Sequence, residues 1–147
     1  VAPRPSAFGR PPHLGDVLSE RLPQVESLEV AENPGAEDIA RAVAGAGEAD
    51  VVVLGSYHWL GAFPAGVTEL AGELAATGKP LVQVALGNPD DLRFVGPVTN
   101  AYVAVYGYRE ANLQGAAALL SGEATPTRKL PVRVSEEFPP GSGMDGF

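Results

Sequence analysis

The chain has no cysteine among its 147 residues, so neither a disulfide framework nor thiolate chemistry is open to it. Histidine is nearly as scarce: His13 and His58 are the only two, far apart in sequence and without the spacing of a zinc site. Cations are also few, with 10 Lys and Arg against 18 Asp and Glu and a formal net charge of −8. A nucleic acid or an anionic membrane surface would need clustered Lys and Arg, and only Arg128 and Lys129 stand together. Neither is expected as a partner. No run of about 18 apolar residues is present, as a spanning helix requires, and no charged start leads into an apolar stretch. Several chemical signatures are missing too. There is no Gly-x-Gly-x-x-Gly after the first strand, no phosphate-binding loop ending in Gly-Lys-Ser/Thr, no Gly-x-Ser-x-Gly elbow and no His-Glu-x-x-His. No cofactor and no metal is expected.

What the chain does have is glycine, 18 residues, and proline, 14 residues, both signs of short, tight connections. Its length suits one domain with a single core. Val1 stands where a start methionine would, and the opening Val-Ala-Pro-Arg-Pro-Ser reads like the tail of a strand, so the chain is expected to be a piece of a longer protein.

The stretch Ala49 to Trp59 organises the reading. Val51, Val52, Val53 and Leu54 run without polar alternation into Gly55-Ser56, which suits a strand buried on both faces of a parallel sheet. Leu81 to Leu86, with Gln83 as its only polar residue, and Ala101 to Tyr106 read as further buried strands, and Val25 to Val30 as a short one. Val1 to Arg4 and Val132 to Val134 are marginal strand candidates. Between them lie helical patterns. His13 to Leu22 carries Leu14, Val17, Leu18 and Leu22 on one face before Pro23, with His13 expected at the surface. Asn33-Pro34 opens a second helix that buries Ile39, Ala40, Val43 and Ala44. Pro64 to Thr77 and Arg109 to Leu120 complete the set, and Gly78 is placed to end the third helix. Ser6 to Pro12 reads as loop.

Strands and helices alternate throughout. The predicted fold is therefore α/β: a three-layer, flavodoxin-like sandwich with a mostly parallel sheet of five to six strands and helices on both faces. It spans residues 1–134, and residues 135–147 are expected to form a flexible carboxyl-terminal tail. Gly55, Gly87 and Gly107 are each expected to end a strand and to gather three loops along one edge, where open α/β sheets bind ligands.

That edge holds the candidate residues. Tyr57, His58 and Trp59 offer an imidazole between two rings able to stack on a flat ligand; a rim covering apolar surface is the plainer alternative. Asp90-Asp91 invites an acid/base reading, but adjacent side chains in such a turn generally point apart, and ordinary helix-start chemistry after Asn88-Pro89 is the plainer account. Tyr108 and Arg109 open the last helix beside the same edge, where Arg109 suits an ion pair or cap. An intact small enzyme acting through His58 with Asp90 or Asp91 requires two separate loops to converge.

Three stretches carry a family likeness: Ala49-Asp50-Val51-Val52-Val53, Gly78-Lys79-Pro80-Leu81-Val82-Gln83-Val84-Ala85-Leu86-Gly87-Asn88-Pro89, and Gly122-Glu123-Ala124-Thr125-Pro126-Thr127-Arg128-Lys129-Leu130-Pro131-Val132. Together they resemble the carboxyl-terminal α/β domain of family 3 glycoside hydrolases, most closely the bacterial β-N-acetylhexosaminidase branch. The last stretch is the most specific. In that family a Gly-x-x-Asn-Pro-Ser/Thr-Gly-Lys-Leu-Pro-Val string commonly closes the domain; here Thr125 replaces Asn and Arg128 replaces Gly. Gly141-Ser142-Gly143-Met144 is similar to the family's Gly-His-Gly-Leu ending. The likeness covers Ala49 to Val134, and the first 48 residues only through their strand-helix order.

The resemblance implies a parent enzyme in which an amino-terminal (β/α)8 barrel supplies the nucleophilic aspartate. It also implies an acid/base group from a His-Asp pair on a barrel loop in one branch, or from a glutamate of this domain in the other. No glutamate here sits on a matching motif, so no catalytic residue is carried over. A retaining glycosidase needs two carboxyls about 5 Å apart, and no such pair is recognisable in the sequence. The expectation is an accessory domain for an enzyme acting on β-linked N-acetylhexosaminides or β-glucosides, inactive without its barrel. Tyr57, His58, Trp59, Asp90, Tyr108 and Arg109 would border the substrate cleft, with carbohydrate as a further partner. The rival expectation is an independent flavodoxin-like module that binds a small ligand or a protein. Cytoplasmic and secreted parents are equally compatible with the sequence.

Overall fold

Apolar runs too short for helices and bounded by turn residues become parallel strands. In the computed structural model, which describes residues 1–3 and 13–144, the strands are β1 (Ala2–Pro3), β2 (Glu29–Val30), β3 (Val52–Ser56), β4 (Leu81–Ala85) and β5 (Ala101–Ala104). Between them run α1 (Leu14–Ser19), α2 (Ala36–Glu48), α3 (Ala65–Ala76), α4 (Leu92–Val95) and α5 (Glu110–Leu120). Two ladders form, β1–β2 and β3–β4–β5, and every pairing is parallel. Val1 lays the first ladder against β3: its nitrogen donates to the Val53 carbonyl and its carbonyl accepts from the Gly55 N–H, each at 2.7 Å.

Helices cover both faces, as the alternating pattern requires. On one face Val52, Leu54 and Leu81 meet Ile39, Ala42 and Ala46 of α2 and Val67, Leu70, Ala71 and Leu74 of α3. On the other, Ala2 and Val84 meet Leu14, Val17 and Leu18 of α1 and Leu113, Ala116 and Ala117 of α5. The small side chains of α5 pack against α1, and the continuous apolar run of β3 serves both cores. None of the described helices is long and apolar enough to cross a membrane.

Several boundaries differ from the sequence reading, for physical reasons. β2 is two residues long rather than six: among the described residues only Glu29 and Val30 pair with β1. Val132 to Val134 forms no strand; Val134 is buried and donates instead to the Phe138 carbonyl at 3.0 Å. Five strands are present among the described residues, and no sixth. Gly55 lies within β3 rather than after it, and a Cβ there would come within 2.6 Å of the Ala2 Cβ, so glycine is what admits β1 alongside.

His13, expected at the surface, is buried. It caps α1, with Nδ1 accepting from the Gly15 N–H at 3.2 Å and the Asp16 carboxylate accepting from its own N–H, a capping box. Its Nε2 lies 2.9 Å from the Ala2 carbonyl, tying the helix start to β1. The chain after β5 also makes local bonds: Leu130 N–H donates to the Ser142 carbonyl and Gly141 N–H to the Leu130 carbonyl, both at 2.8 Å. Arg4, the loop read over Ser6 to Pro12 and the last three residues of the tail lie outside the described residues.

Candidate functional site at the carboxyl edge of the sheet

Strand alternation decides what faces what at this edge. Val52, Leu54 and Ser56 share one face of β3, and Leu81 and Gln83 share the corresponding face of β4. Ser56 and Gln83 therefore end up side by side in the interior, both fully buried. The Gln83 amide donates to the Ser56 hydroxyl, and that hydroxyl donates to Oδ2 of Asp91, also fully buried. Asp91 arrives from the turn after β4, where Pro89–Asp91 forms a single 3-10 turn leading into α4.

The loop after β3 crosses above this chain of bonds. Leu86 N–H donates to the Ser56 carbonyl at 2.8 Å and Asn88 N–H to the His58 carbonyl at 3.0 Å, while the Asn88 amide donates to the Trp59 carbonyl at 3.0 Å. His58 Nδ1 lies 3.8 Å from Asp91 Oδ1, and His58 Nε2 lies 3.0 Å from the Gly61 carbonyl. Phe63 meets the imidazole edge-on, centroids 5.6 Å apart, and stacks on Phe94 of α4 at 4.6 Å. The loops after β3 and β4 meet at Asp91 rather than at its neighbour Asp90.

Burial raises the Asp91 carboxyl to about 6; the Ser56 hydroxyl and the His58 ring act against that rise, and Asp90 adds to it. Burial also holds the Tyr102 hydroxyl well above the ordinary phenol range, with the charge of Asp91 adding to the effect; that hydroxyl donates to the Pro89 carbonyl at 2.9 Å.

The raised carboxyl carries a stability consequence. The folded chain takes up this proton at about 6, against the ordinary value of 3.8, so between those values it binds more protons than the unfolded chain and loses stability as pH rises. Above the upper value the cost of the buried charge is fully present, roughly 3 kcal/mol. Asp91→Asn keeps an acceptor for Ser56 and removes the charge. It is expected to be more stable than the parent chain at pH 8 by an amount of that order, the advantage vanishing toward pH 4, as urea unfolding at both pH values will read.

The six residues singled out from the sequence do not form one cluster. Tyr57 turns to the α1/α5 face, where its ring meets Tyr108 edge-on at 4.9 Å, and burial followed by the Tyr108 neighbour raises its phenol. His58 faces the opposite side. Trp59 is exposed at 57%, beside Leu60 at 84%. Asp90 lines an open groove of about 310 Å³ with Asn88, Tyr106, Pro131, Val132 and Arg133. Arg109 is exposed at the N-cap position of α5, where its carbonyl accepts from the N–H groups of Asn112 and Leu113.

Ser56 and Tyr106 were not singled out from the sequence, Gln83 was noted only as a polar residue in a strand, and Asp91 only as one of the Asp90-Asp91 pair. Gln83 had the clearest signal, as the one polar residue in a buried run. Tyr106 had none: its backbone is left-handed, φ 56°, a conformation strained for a bulky side chain.

Chemically, the buried set is a hydrogen-bonded support. Asp91 is closed to solvent and Ser56 is bonded on both sides, so neither reaches a substrate in bulk water. Among the described residues no group of three or more His, Asp or Glu could hold a metal ion.

No protein-family profile and no curated protein matches the chain. Solved structures do. A glycoside hydrolase family 3 β-N-acetylglucosaminidase from Paenibacillus sp. str. FPU-7 matches with a TM-score of 0.78 and 22% identity, over 91% of this chain and 26% of that one. A β-glucosidase from Listeria innocua, solved with glucose, matches with a TM-score of 0.71 and 21% identity, over 85% of this chain and 21% of that one. A GH3 exo-β-xylosidase matches at 0.60 and 15% identity, over 90% and 21%. The chain thus spans about a quarter or less of the enzymes it matches. What it shares with these family 3 glycoside hydrolases is the fold of one segment, the match that its sequence likeness to their carboxyl-terminal α/β domain calls for.

Proposed function

We propose that this chain is the carboxyl-terminal α/β domain of a family 3 type glycoside hydrolase acting on β-linked N-acetylhexosaminides or β-glucosides, inactive without an amino-terminal (β/α)8 barrel. The observation that carries the reading is the coverage: almost the whole chain matches, yet only 26% of the β-N-acetylglucosaminidase is needed to match it. The site chemistry agrees. Among the described residues the one buried carboxylate at the carboxyl edge, Asp91, is engaged by Ser56, while aromatic and polar side chains outside it, Trp59, Asp90 and Tyr106, are available to a neighbour. In this reading His58, Trp59 and Asp90 border the cleft, Tyr57 and Tyr108 brace the edge from behind, and Arg109 sits at its far end.

Two measurements test it. The purified chain is expected to release no aryl alcohol from aryl β-N-acetylglucosaminide or aryl β-glucoside above a buffer blank; turnover would sink the claim of inactivity. The coding sequence upstream of Val1 is expected to encode a barrel, and a start codon there would overturn the parentage.

A further inference from the structure

His58 and Asp91 face each other in a way that two bare acceptors do not tolerate. His58 Nε2 lies 3.0 Å from the Gly61 carbonyl, which can only accept, so Nε2 carries a proton and donates. In a neutral imidazole the other nitrogen is then an acceptor. That nitrogen, Nδ1, looks toward Asp91 Oδ1 at 3.8 Å, and both atoms are buried and without a hydrogen-bond partner. Asp91 Oδ2 is already satisfied by the Ser56 hydroxyl. Two lone pairs meeting in a dry site repel, whereas one proton on either atom makes a donor and an acceptor of them.

We propose that His58 and Asp91 form a proton-binding site, one proton held between Nδ1 and Oδ1, and that its occupancy fixes the turn from Trp59 to Phe63 at the carboxyl edge of the sheet. The backbone at His58 and Trp59 is anchored independently, by the N–H and side-chain amide of Asn88. Beyond Trp59 the imidazole itself does the holding: Nε2 bonds Gly61, whose φ of 90° makes the turn, and the ring packs against Phe63. The imidazole is thus the link between a buried carboxyl and a surface turn. Its side chain is 12% exposed, so on losing the proton it has a route outward to water, and leaving by that route releases Gly61. Acid closes the latch and base opens it.

The groups around Asp91 pull both ways: burial and Asp90 favour the proton, and the Ser56 hydroxyl opposes it. β3 and β4 present Ser56 and Gln83, both neutral; β5 presents Tyr102, a phenol already donating to Pro89; α4 presents Phe94 behind Phe63. The remaining charged group acting on Asp91 is Asp90, which favours keeping the proton, in keeping with the raised carboxyl. The proposal does not depend on the family reading, because it is read on the chain alone with no sugar and no turnover.

Trp59 is the only tryptophan in the chain and reports on the turn by fluorescence, while ¹⁵N NMR follows the imidazole of His58 with His13 as internal comparison. As pH is raised through about 6, where the Asp91 carboxyl gives up its proton, the Trp59 emission and the His58 nitrogens are expected to change together, with one midpoint. Asp91→Asn offers an amide donor to Nδ1 at every pH and is expected to abolish the Trp59 transition and hold His58 in the Nε2–H form. Should that variant fail to fold, the parent chain decides by itself. Separate midpoints for His58 and Trp59, no transition in either, or a Trp59 transition unchanged in Asp91→Asn would each overturn the proposal.

Discussion

Gly87→Ala is expected to cost about 3 kcal/mol, near the upper end for a single added methyl. A Cβ at Gly87 would come within 2.3 Å of the His58 carbonyl oxygen, 3.1 Å of its carbon and 3.3 Å of its nitrogen. All three are backbone atoms, so no side chain can rotate aside. Either the β4 exit or the loop after β3 must move, and with it the Asn88 N–H bond to His58 at 3.0 Å. For a chain of this size the loss corresponds to a fall in Tm of about 10 °C. The same shift strains the seat of Trp59, so its emission in the native baseline is expected to change as well. A melting curve indistinguishable from the parent's would show that the crossing of the two loops is looser than drawn.

Leu70→Ala is expected to cost about as much, roughly 3 kcal/mol, by a different route. Leu70 of α3 is fully buried in the core shared with α2 and β3, among Leu54, Leu74, Leu81 and Val95, each at most 1% exposed. Truncation removes apolar contact and leaves a cavity that helix and strand backbones cannot close. Leu70→Met, which nearly conserves volume, is expected to cost less than half as much. Urea unfolding separates the three proteins. The pH response of Trp59 is expected to survive Leu70→Ala in the native state, because the hydrogen bonds that hold the 59–63 turn come from His58 and Asn88 and not from Leu70. A simultaneous loss of both would mean that the edge and the core respond as one unit.

Much of the fold was legible because the local signals were consistent with one another. Val51 to Leu54 is an uninterrupted apolar run and Leu81 to Leu86 is broken only by Gln83; such runs bounded by turns have few alternatives to a buried strand. Ala65–Ala76 and Glu110–Leu120 fall within a residue of their predicted limits, since Pro64, Gly78 and Gly122 punctuate them. Errors gathered where structure depends on a distant partner. Which residues of the 25–30 run pair as β2 is decided by their partners Ala2 and Pro3, which no property of Glu29 or Val30 reveals. His13 follows two prolines at the start of an amphipathic helix, a surface signature, yet the carbonyl of Ala2 draws it inside.

The candidate site divides along the same line. Strand order and the clustering of Tyr57, His58 and Trp59 after a buried strand are properties of the chain by itself and were enough to name the edge, while the family likeness came from the stretches 49–53, 78–89 and 122–132. What the rings and carboxyls do there was decided by the tertiary structure. The two-residue period of β3 sends Tyr57 to the α1/α5 face and leaves His58 on the other side, although the two are adjacent in sequence. A single 3-10 turn carries Asp91 into the interior and leaves its neighbour Asp90 on the groove wall. Sequence specifies which residue types meet at an edge; which atoms meet depends on backbone direction at the end of each strand, and that is fixed only when the strands pack.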